Sequence, residues 1–249
     1  MNIRVLVLAG GEGKRMGQSF AKVLTPFAGK PLIVHLLEAI KNSDIDPKPV
    51  IVLGFDRDRV RKELGEKYDY VIQEEQLGTG HAVQCAEGEL RGTSDAVLVL
   101  YGDQPFLKPE TIRKIAELHK EIKPVITMAT VTVPDFKSWR ATFYDFGRIV
   151  RNHSGEITAI VEKKDATEAE LNIREVNPSY FCFDADWLWR HLPNLNQENA
   201  QGEFYLTDLV RIAVTARDTV ASVAVDPKES IGINTPDHLE LAEGLHKFN

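Results

Sequence analysis

The amino-acid sequence predicts an α/β protein in which helices cover both faces of a mainly parallel sheet. Through the first half of the chain, short apolar runs rich in β-branched residues alternate with amphipathic helical patterns, as at residues 3–8 and 31–42. These runs are apolar at nearly every position, as strands covered on both faces are. The 249 residues are 43% hydrophobic and 27% charged, which is typical of an ordinary globular protein.

Each element of the first half follows from a local signal. The apolar run 3–8 predicts the first strand, which ends at two glycines. Pro31 opens a helix to about residue 42, because apolar residues recur there at helical spacing. The same reasoning predicts strands at residues 50–53, 70–73, 96–101 and 125–133, and helices from an Asp56 cap towards residue 68, at 80–90 and from Pro109.

After Pro134 the pattern changes and predicts a more antiparallel region. Residues 148–152 and 157–163 flank the sequence HSGE, which is typical of a hairpin. Further strands are predicted at 175–183 and 219–225, and helices at 185–192, 207–216 and after a Thr235–Pro236 cap. Since no repeat or linker divides the chain, we expect a single domain of residues 1–249, with an N-terminal lobe of about 1–133 and a C-terminal lobe of about 134–249.

Composition and charge exclude several classes of protein. A net charge of −7 and a pI near 5.6 disfavour a general nucleic-acid binder. Cys85 and Cys182 are too few for a disulfide framework or a cysteine-based zinc site, and we interpret both as buried small side chains. No secretory leader is visible, and no apolar run approaches the ~18–20 residues that a membrane span needs. We therefore expect a soluble, cytoplasmic protein with no membrane partner.

A glycine-rich segment with nearby cations follows the first strand. Residues 8–17 read LAGGEGKRMG. This segment and its surroundings contain Gly10, Gly11, Gly13, Lys14, Arg15 and Lys22. Such glycines let backbone N–H groups surround an anion, and the carboxyl end of a strand is the usual phosphate position in an open α/β sheet. We prefer this interpretation to a solvated basic turn. Neither the GxxxxGK[ST] loop nor the full GxGxxG pattern fits, because Leu8 and Met16 stand at required glycine positions.

Two further residues have the chemistry of a metal site. Asp103 comes shortly after the buried strand at 96–101, so we expect its carboxylate at the same sheet edge as the glycines. An oxygen ligand there suits Mg²⁺, although a simple turn also explains an Asp after a glycine. Asn234 offers a second oxygen, and its alternative is a turn before the Thr-Pro cap.

Residues 73–81 have the chemistry of a base-binding loop. Gln73 carries both a donor and an acceptor, as the edge of a pyrimidine requires, but its spacing alone favours a solvated strand end. Gly78 and Thr79 precede a helix, where they either present N–H groups to a ligand or cap the helix. To His81 we assign only a capping or packing role.

Seven blocks, in their order along the chain, resemble the nucleotide-sugar pyrophosphorylases, a family of nucleotidyltransferases. The blocks are LAGGEGKRMG followed by Lys22, QEEQLGTGHA from Gln73, YGDQP from Tyr101, GRIVR from Gly147, IVEKKDAT from residue 160, NAQGEFYLTD from residue 199 and GIN from residue 232. Each block is weak alone, but the ordered set covers nearly the whole chain. It is most similar to the uridylyltransferase domains that act on N-acetylglucosamine 1-phosphate. Their companion acetyltransferase domain has no counterpart in the sequence, so we expect no acetyl transfer.

The resemblance implies a Rossmann-like three-layer nucleotide-diphospho-sugar transferase fold with a mainly parallel mixed sheet. It also implies an enzyme that joins an NTP, with UTP favoured, to a sugar 1-phosphate and releases pyrophosphate. Arg15, Lys22 and Asp103 are the implied catalytic residues, and Mg²⁺ held by Asp103 and Asn234 is the implied cofactor. The implied nucleotide-binding residues are Leu8, Ala9, Gly10, Gly11, Gly13, Arg15, Lys22, Gln73, Gly78, Thr79, Tyr101, Gly102 and Asp103. The implied sugar-binding residues are Gly147, Glu162, Asn177 and Asn234.

Several departures from the family pattern leave the sugar open. The family's Asn-Thr-Gly is Asn177–Pro178–Ser179 here, and residues 136–146 form a longer, more aromatic stretch. The LAGG, RMG and GDQP sequences also resemble enzymes that nucleotidylate molybdopterin, and a cytidylyl-, guanylyl- or thymidylyltransferase is a further alternative. An NAD-dependent dehydrogenase lacks its third glycine, and Lys22 and Asp103 disfavour a non-catalytic nucleotide-sugar sensor. The sequence is compatible with an oligomer.

Overall fold

A ten-stranded mixed sheet forms the middle layer of the computed structural model, which describes residues 1–247. The strands are β1 (Ile3–Ala9), β2 (Pro26–Phe27), β3 (Lys30–Pro31), β4 (Val50–Leu53), β5 (Asp69–Ile72), β6 (Ala96–Tyr101), β7 (Ile126–Thr132), β8 (Arg148–Arg151), β9 (Ile157–Val161), β10 (Glu175–Val176), β11 (Phe181–Asp184) and β12 (Val220–Ala224). β2 and β3 form a separate small hairpin. The helices are α1 (Leu32–Ser43), α2 (Arg57–Leu64), α3 (Thr79–Cys85), α4 (Glu87–Leu90), α5 (Pro109–Ile122), α6 (Glu168–Leu171), α7 (Ala185–His191), α8 (Asp208–Ala216) and α9 (Pro236–His246).

One half of the sheet, from the edge strand β5 to β6, is parallel, as predicted. Its strands lie in the order β5–β4–β1–β6, with Leu6 opposite Val50 and Val5 opposite Leu98. Side chains of β1 alternate between two cores, because successive residues of a strand point to opposite faces. Val5 packs with α1 and α5 on one face, whereas Leu6 packs with α3, α7 and α8 on the other. The predicted three-layer α/β fold is therefore confirmed.

The largest departure from the prediction lies between residues 175 and 184. The sequence predicts one strand at 175–183, but the chain forms β10 and β11 with a break between them. Pro178 has no N–H to give to a ladder, and Ser179 adopts the left-handed region with φ of +68°. β11 then runs antiparallel between β6 and β7, so the central sheet contains strands from both halves of the chain.

Smaller departures concern helix ends. α2 ends at Leu64 rather than near residue 68. Asp56 lies at the N-cap position as predicted, but its carboxylate makes no capping hydrogen bond and accepts from Ala21 N at 3.2 Å. The predicted helix 80–90 is divided into α3 and α4 at Ala86. The predicted cap of α9 is confirmed, since Thr235 Oγ1 accepts from His238 N at 3.2 Å.

The cysteines and the aromatic stretch have different environments. Cys182 is fully buried in β11 as predicted, whereas Cys85 is only partly buried, which corrects our expectation for it. Most of the aromatic stretch forms a 3₁₀ segment at Ser138–Asp145. None of the helices within residues 1–247 has the length and apolar character that crossing a membrane requires.

Candidate active site

Two adjoining cavities lie at the carboxyl edge of the parallel strands. The first has a volume of about 240 Å³ and is lined by Leu8, Ala9, Gly10, Gly11, Lys22, Val23, Gln73, Gln76, Gly78, Thr79, Ala82, Tyr101, Asp103 and Glu203. The second has a volume of about 310 Å³ and is lined by Lys22, Tyr101, Asp103, Gln104, Asp145, Phe146, Gly147, Glu162, Asn177, Pro178, Ser179, Gly232 and Asn234. Lys22, Tyr101 and Asp103 are common to both, so they form the boundary between the cavities.

The glycine-rich segment is packed closely against its surroundings. Gly10 O accepts a hydrogen bond from Phe55 N at 3.2 Å, and a Cβ on Gly54 would lie 2.5 Å from the same oxygen. Gly13 has φ of +68°, and a Cβ there would lie 2.5 Å from Lys22 Cβ. Glycine is therefore needed at residue 13 for its backbone conformation and because Lys22 passes so close to it.

Lys22 bridges the two oxygens that the sequence assigns to a metal. Its Nζ donates to Asp103 Oδ2 at 2.5 Å and to Asn234 Oδ1 at 2.6 Å. The side chains of Lys22 and Asp103 are only 14% and 13% exposed, so this ion pair is largely shielded from water. A backbone hydrogen bond from Ile233 N to Asp103 O, at 3.0 Å, holds the loop that carries Asn234 beside the end of β6.

The same two oxygens fit a small divalent cation. Within residues 1–247, no three or more His, Cys, Asp or Glu side chains are grouped as a metal site. Asp103 Oδ2 and Asn234 Oδ1 nevertheless converge on one position, because both contact a single ammonium group. Hard oxygen donors of this small number suit Mg²⁺, which commonly takes its other ligands from phosphate oxygens and water.

Gln73 is a buried part of the first cavity and not a solvated strand end. It is 4% exposed, and its Nε2 donates to Gly78 O at 3.1 Å. The same Nε2 lies 3.2 Å from His81 Nδ1, so His81 contacts this loop directly. Thr79 Oγ1 accepts from Leu206 N at 3.0 Å, which joins the start of α3 to the segment before α8.

Glu162 lies at the second cavity, beside the start of α8. Thr207 Oγ1 donates to Glu162 Oε1 at 3.0 Å. Burial raises the pKa of the Glu162 carboxyl, and the Thr207 hydrogen bond opposes that rise. A Cβ on Gly147 would lie 2.8 Å from Ile160 Cγ2 and 3.2 Å from Glu162 Oε1, so only glycine leaves room for both side chains.

Asn177 lines the same cavity, and its side-chain oxygen accepts a hydrogen bond from a neighbouring backbone N–H. It is 2% exposed, and its Oδ1 accepts from Ser179 N at 2.9 Å. Its backbone N–H donates to Gly147 O at 2.9 Å, which brings two of the predicted sugar-binding residues together. Asn177 thus fixes the turn that Pro178 and Ser179 make between β10 and β11.

Arg148 is a residue of this region that the sequence reasoning did not single out. Its guanidinium is buried and donates to the carbonyl oxygens of Phe146, Tyr144 and Leu171, the last two at 2.9 and 3.4 Å. Burial lowers its pKa. These bonds hold the segment that forms one wall of the second cavity. Its place in the GRIVR block is the sequence signal that pointed to it.

Most predicted site residues line the two cavities, but three do not. Gly13, Arg15 and Gly102 are absent from both linings, and Arg15 is exposed with no carboxylate partner in the part of the chain that the structure describes. The catalytic role of Arg15 stays a prediction. The sequence reasoning missed Val23, Gln76, Ala82 and Glu203 in the first cavity and Gln104, Asp145, Phe146, Pro178, Ser179 and Gly232 in the second. Most of them were nevertheless marked by the sequence. Five lie in the family-like blocks, namely Gln76, Ala82, Gln104, Glu203 and Gly232, and four lie in the stretches that depart from the family pattern, namely Asp145, Phe146, Pro178 and Ser179. For Val23, proximity to Lys22 is the only signal.

Known proteins resemble this chain in sequence and in fold. The bifunctional protein GlmU of Brevibacillus brevis is 42% identical over 246 residues, which is 98% of this chain and 52% of that protein. The one from Exiguobacterium sp. is 40% identical over 241 residues, or 96% of this chain and 52% of that protein. The chain thus spans about half the length of the curated relatives it matches.

The fold also matches a solved nucleotide-sugar enzyme. The crystal structure of a UDP-glucose pyrophosphorylase complexed with UDP-glucose has a TM-score of 0.79, with all of both chains covered and 16% identity. This likeness supports the fold alone. In sequence, residues 5–205 match the family described as the MobA-like NTP transferase domain. That match covers most of the chain, which therefore belongs to this family of NTP transferase domains.

Proposed function

We propose that the chain is a sugar-1-phosphate nucleotidyltransferase, which joins an NTP to a sugar 1-phosphate and releases pyrophosphate. The observation that carries this proposal is the pair of cavities that meet at Lys22 and Asp103. A transferase of this kind must hold two phosphorylated substrates side by side, with their phosphates at a common boundary. UTP is the favoured nucleotide and N-acetylglucosamine 1-phosphate is the leading candidate for the second substrate, in keeping with the similarity to GlmU.

The reaction needs alignment and charge stabilisation more than proton transfer. A phosphate oxygen of the sugar 1-phosphate is already anionic at neutral pH, so no protein base has to activate it. This oxygen attacks the α-phosphorus of the NTP, a new O–P bond forms, and the bond to the β-phosphate oxygen breaks to release pyrophosphate. Lys22, at the boundary of the cavities, stabilises negative charge on the α-phosphate.

Asp103 and Asn234 would hold Mg²⁺, as their convergent oxygens suit a small divalent cation. When bound, the ion would supply charge neutralisation at the phosphate oxygens. Lys22 Nζ contacts both of these oxygens in the structure, so its ammonium would have to give up this position for the ion to bind. We also propose that the protein works in the cytoplasm, where nucleoside triphosphates are available.

The second cavity is the proposed sugar site. Glu162, Asn177 and Gly147 line it and offer a carboxyl group, a side-chain amide and a close backbone approach. Carboxyl and amide groups bind sugar hydroxyls and acetamido groups by hydrogen bonds. Pro178 and Ser179 line the same cavity, and their departure from the family pattern lies directly at the proposed sugar site.

The test is pyrophosphate release from a matrix of four NTPs against a panel of sugar 1-phosphates in the presence of MgCl₂. We expect the highest rate with UTP and N-acetylglucosamine 1-phosphate, and loss of that rate in Asp103→Asn. Asp186→Asn, which changes an exposed Asp on α7, is the matched control and should behave as wild type. Absence of pyrophosphate release with every pair would contradict the proposal. A clear preference for GTP would move the protein towards the molybdopterin-type branch.

A further inference from the structure

The Gln73 amide is held at the first cavity by two contacts on one side. Nε2 lies 3.1 Å from Gly78 O and 3.2 Å from His81 Nδ1, and the residue is 4% exposed. A backbone carbonyl oxygen can only accept, so the group that faces Gly78 O must be the amide nitrogen. The orientation of the side-chain amide therefore follows from the chemistry of its partner.

The second contact gives His81 Nδ1 the role of a hydrogen-bond acceptor. Gln73 Nε2 carries two hydrogens, which allows it to donate to both Gly78 O and His81 Nδ1. An amide nitrogen can only donate, so His81 Nδ1 accepts this hydrogen bond. The other ring nitrogen, Nε2, lies 3.8 Å from Cys85 Sγ. The ring is thus held between Gln73 and Cys85.

With both N–H groups engaged, Gln73 has only its carbonyl oxygen left to offer a ligand. A Cβ on Gly10 would lie 2.9 Å from Gln73 Oε1, so this oxygen is directed at the end of β1. Gly10 and Gln73 both line the first cavity. Gln73 therefore presents a hydrogen-bond acceptor to a ligand in this cavity, and it presents no donor.

We propose that His81 is a positioning residue that sets the base preference of the nucleotide site. It accepts from Gln73 Nε2, and this second bond, in addition to the one with Gly78 O, fixes the plane of the amide. Gln73 Oε1 then accepts from the N3–H of a uracil or thymine ring. Cytosine has a lone pair at N3 and would face the carbonyl oxygen acceptor to acceptor, which leaves two buried polar atoms unpaired. This inference rests on the proposed function, because it assumes that a nucleotide base occupies the first cavity.

The test measures binding of UTP and CTP to the full chain by calorimetry with MgCl₂, and pyrophosphate release in parallel. We expect wild type to bind UTP more tightly than CTP. His81→Leu removes the acceptor and should lower the UTP-to-CTP affinity ratio about tenfold, the usual effect of losing one hydrogen bond. His81→Gln, a polar variant without an acceptor at the Nδ1 position, should do the same. It keeps the test available if the leucine variant does not fold.

Two matched variants separate positioning from packing. His81→Asn places a carbonyl oxygen near the Nδ1 position and should restore the ratio to within about threefold of wild type. Cys85→Ala removes the contact on the other side of the ring and should leave the ratio unchanged. The KM for the sugar phosphate should stay at its wild-type value throughout.

Three results would overturn the inference. They are a wild type that binds CTP as tightly as UTP, an unchanged ratio in both His81→Leu and His81→Gln, and a His81→Asn variant no better than His81→Leu. The proposed function fails by a different readout. If wild type prefers UTP in calorimetry but releases no pyrophosphate with any sugar phosphate, the transferase proposal is wrong and the role of His81 in base choice still holds.

Discussion

Lys22 Nζ and Asp103 Oδ2 are 2.5 Å apart, and the pair lies at the boundary between two cavities. Because both side chains are mostly shielded from water, each depends on the other to balance its charge. The same pair would face both substrates at once, one in each cavity. Changes at Lys22 and at Asp103 should therefore both impair turnover.

Asp103→Asn should lower kcat at least about 100-fold and leave the fold intact. The change removes a charged oxygen ligand from the proposed Mg²⁺ site, and a loss of several kcal/mol of transition-state stabilisation corresponds to such a rate effect. Steady-state pyrophosphate release measures the rate, and thermal unfolding confirms that the fold is retained. A kcat near the wild-type value in a folded Asp103→Asn protein would rule out the assignment.

Lys22→Ala and Arg15→Ala should have opposite kinetic signatures. Lys22 lies at the boundary of the cavities, so its loss should reduce kcat about 100-fold with little effect on UTP affinity. Arg15 is exposed beside the glycine-rich segment, and as a triphosphate contact it should affect UTP binding several-fold, with a smaller loss of kcat than in Lys22→Ala. Calorimetry for UTP, combined with kcat, separates the two. Identical effects of both variants on affinity and rate would show that the roles are assigned wrongly.

Gly54→Ala should weaken nucleotide binding about tenfold or more and lower the stability by ~1–3 kcal/mol. The new Cβ would lie 2.5 Å from Gly10 O and 2.8 Å from Gln76 Nε2, so two residues that line the first cavity must shift. Gly88→Ala in α4 is the control, because a Cβ there meets no atom within 4 Å. It should be neutral or stabilising by ~0.5–1 kcal/mol. Equal UTP affinity in the two variants would contradict the steric argument.

Glu162→Gln should raise the Tm at pH 8 relative to wild type, but not near pH 4.5. Burial raises the pKa of Glu162 above the ordinary value of 4.5, so the folded protein retains this proton to a higher pH than the unfolded chain does. The contribution of Glu162 to the stability is therefore fully present below pH 4.5 and decreases as the pH rises through the raised pKa. Glutamine cannot ionise, so the Glu162→Gln variant does not lose this stability at high pH. A difference of ~1 kcal/mol in stability would raise its Tm by about 2–4 °C relative to wild type.

A Tm difference between Glu162→Gln and wild type that is the same at both pH values would refute this pH dependence. Glu89→Gln, at an exposed position of α4, is the control and should show no such pH-dependent gain. If Glu162 also contacts the sugar, Glu162→Gln should raise the KM for the sugar phosphate and leave UTP affinity unchanged.

The parallel half of the sheet could be predicted from the sequence because its signals are local. An apolar run such as residues 3–8 predicts a strand covered on both faces, and the residues that follow it must lie at its carboxyl edge. Most predicted nucleotide-binding residues lie there for this reason. The position of β11 could not be predicted in this way, since its neighbours β6 and β7 are distant in sequence and only the fold brings them together.

The contacts among Gln73, Gly78 and His81 were also beyond sequence reasoning. Each of the three residues fits a loop, a cap or a helix start by itself. Their interaction depends on how the chain turns between β5 and α3, and no periodicity encodes that turn. Arg15 is the opposite case. The family pattern predicts a role for it, but in the structure its side chain is exposed and lines neither cavity.

The antiparallel position of β11 has a consequence for how this protein is made. β6 is apolar and its first five residues are fully buried, yet one of its two edges is covered only by β11. During synthesis this edge has no partner until Asp184 has left the ribosome, because β7, although it comes next in the chain, pairs with β11 instead. An uncovered apolar edge is a site of aggregation in a growing polypeptide. The nascent first half therefore cannot complete its own sheet. If synthesis stopped before β11 was made, the edge of β6 would stay exposed and prone to aggregation.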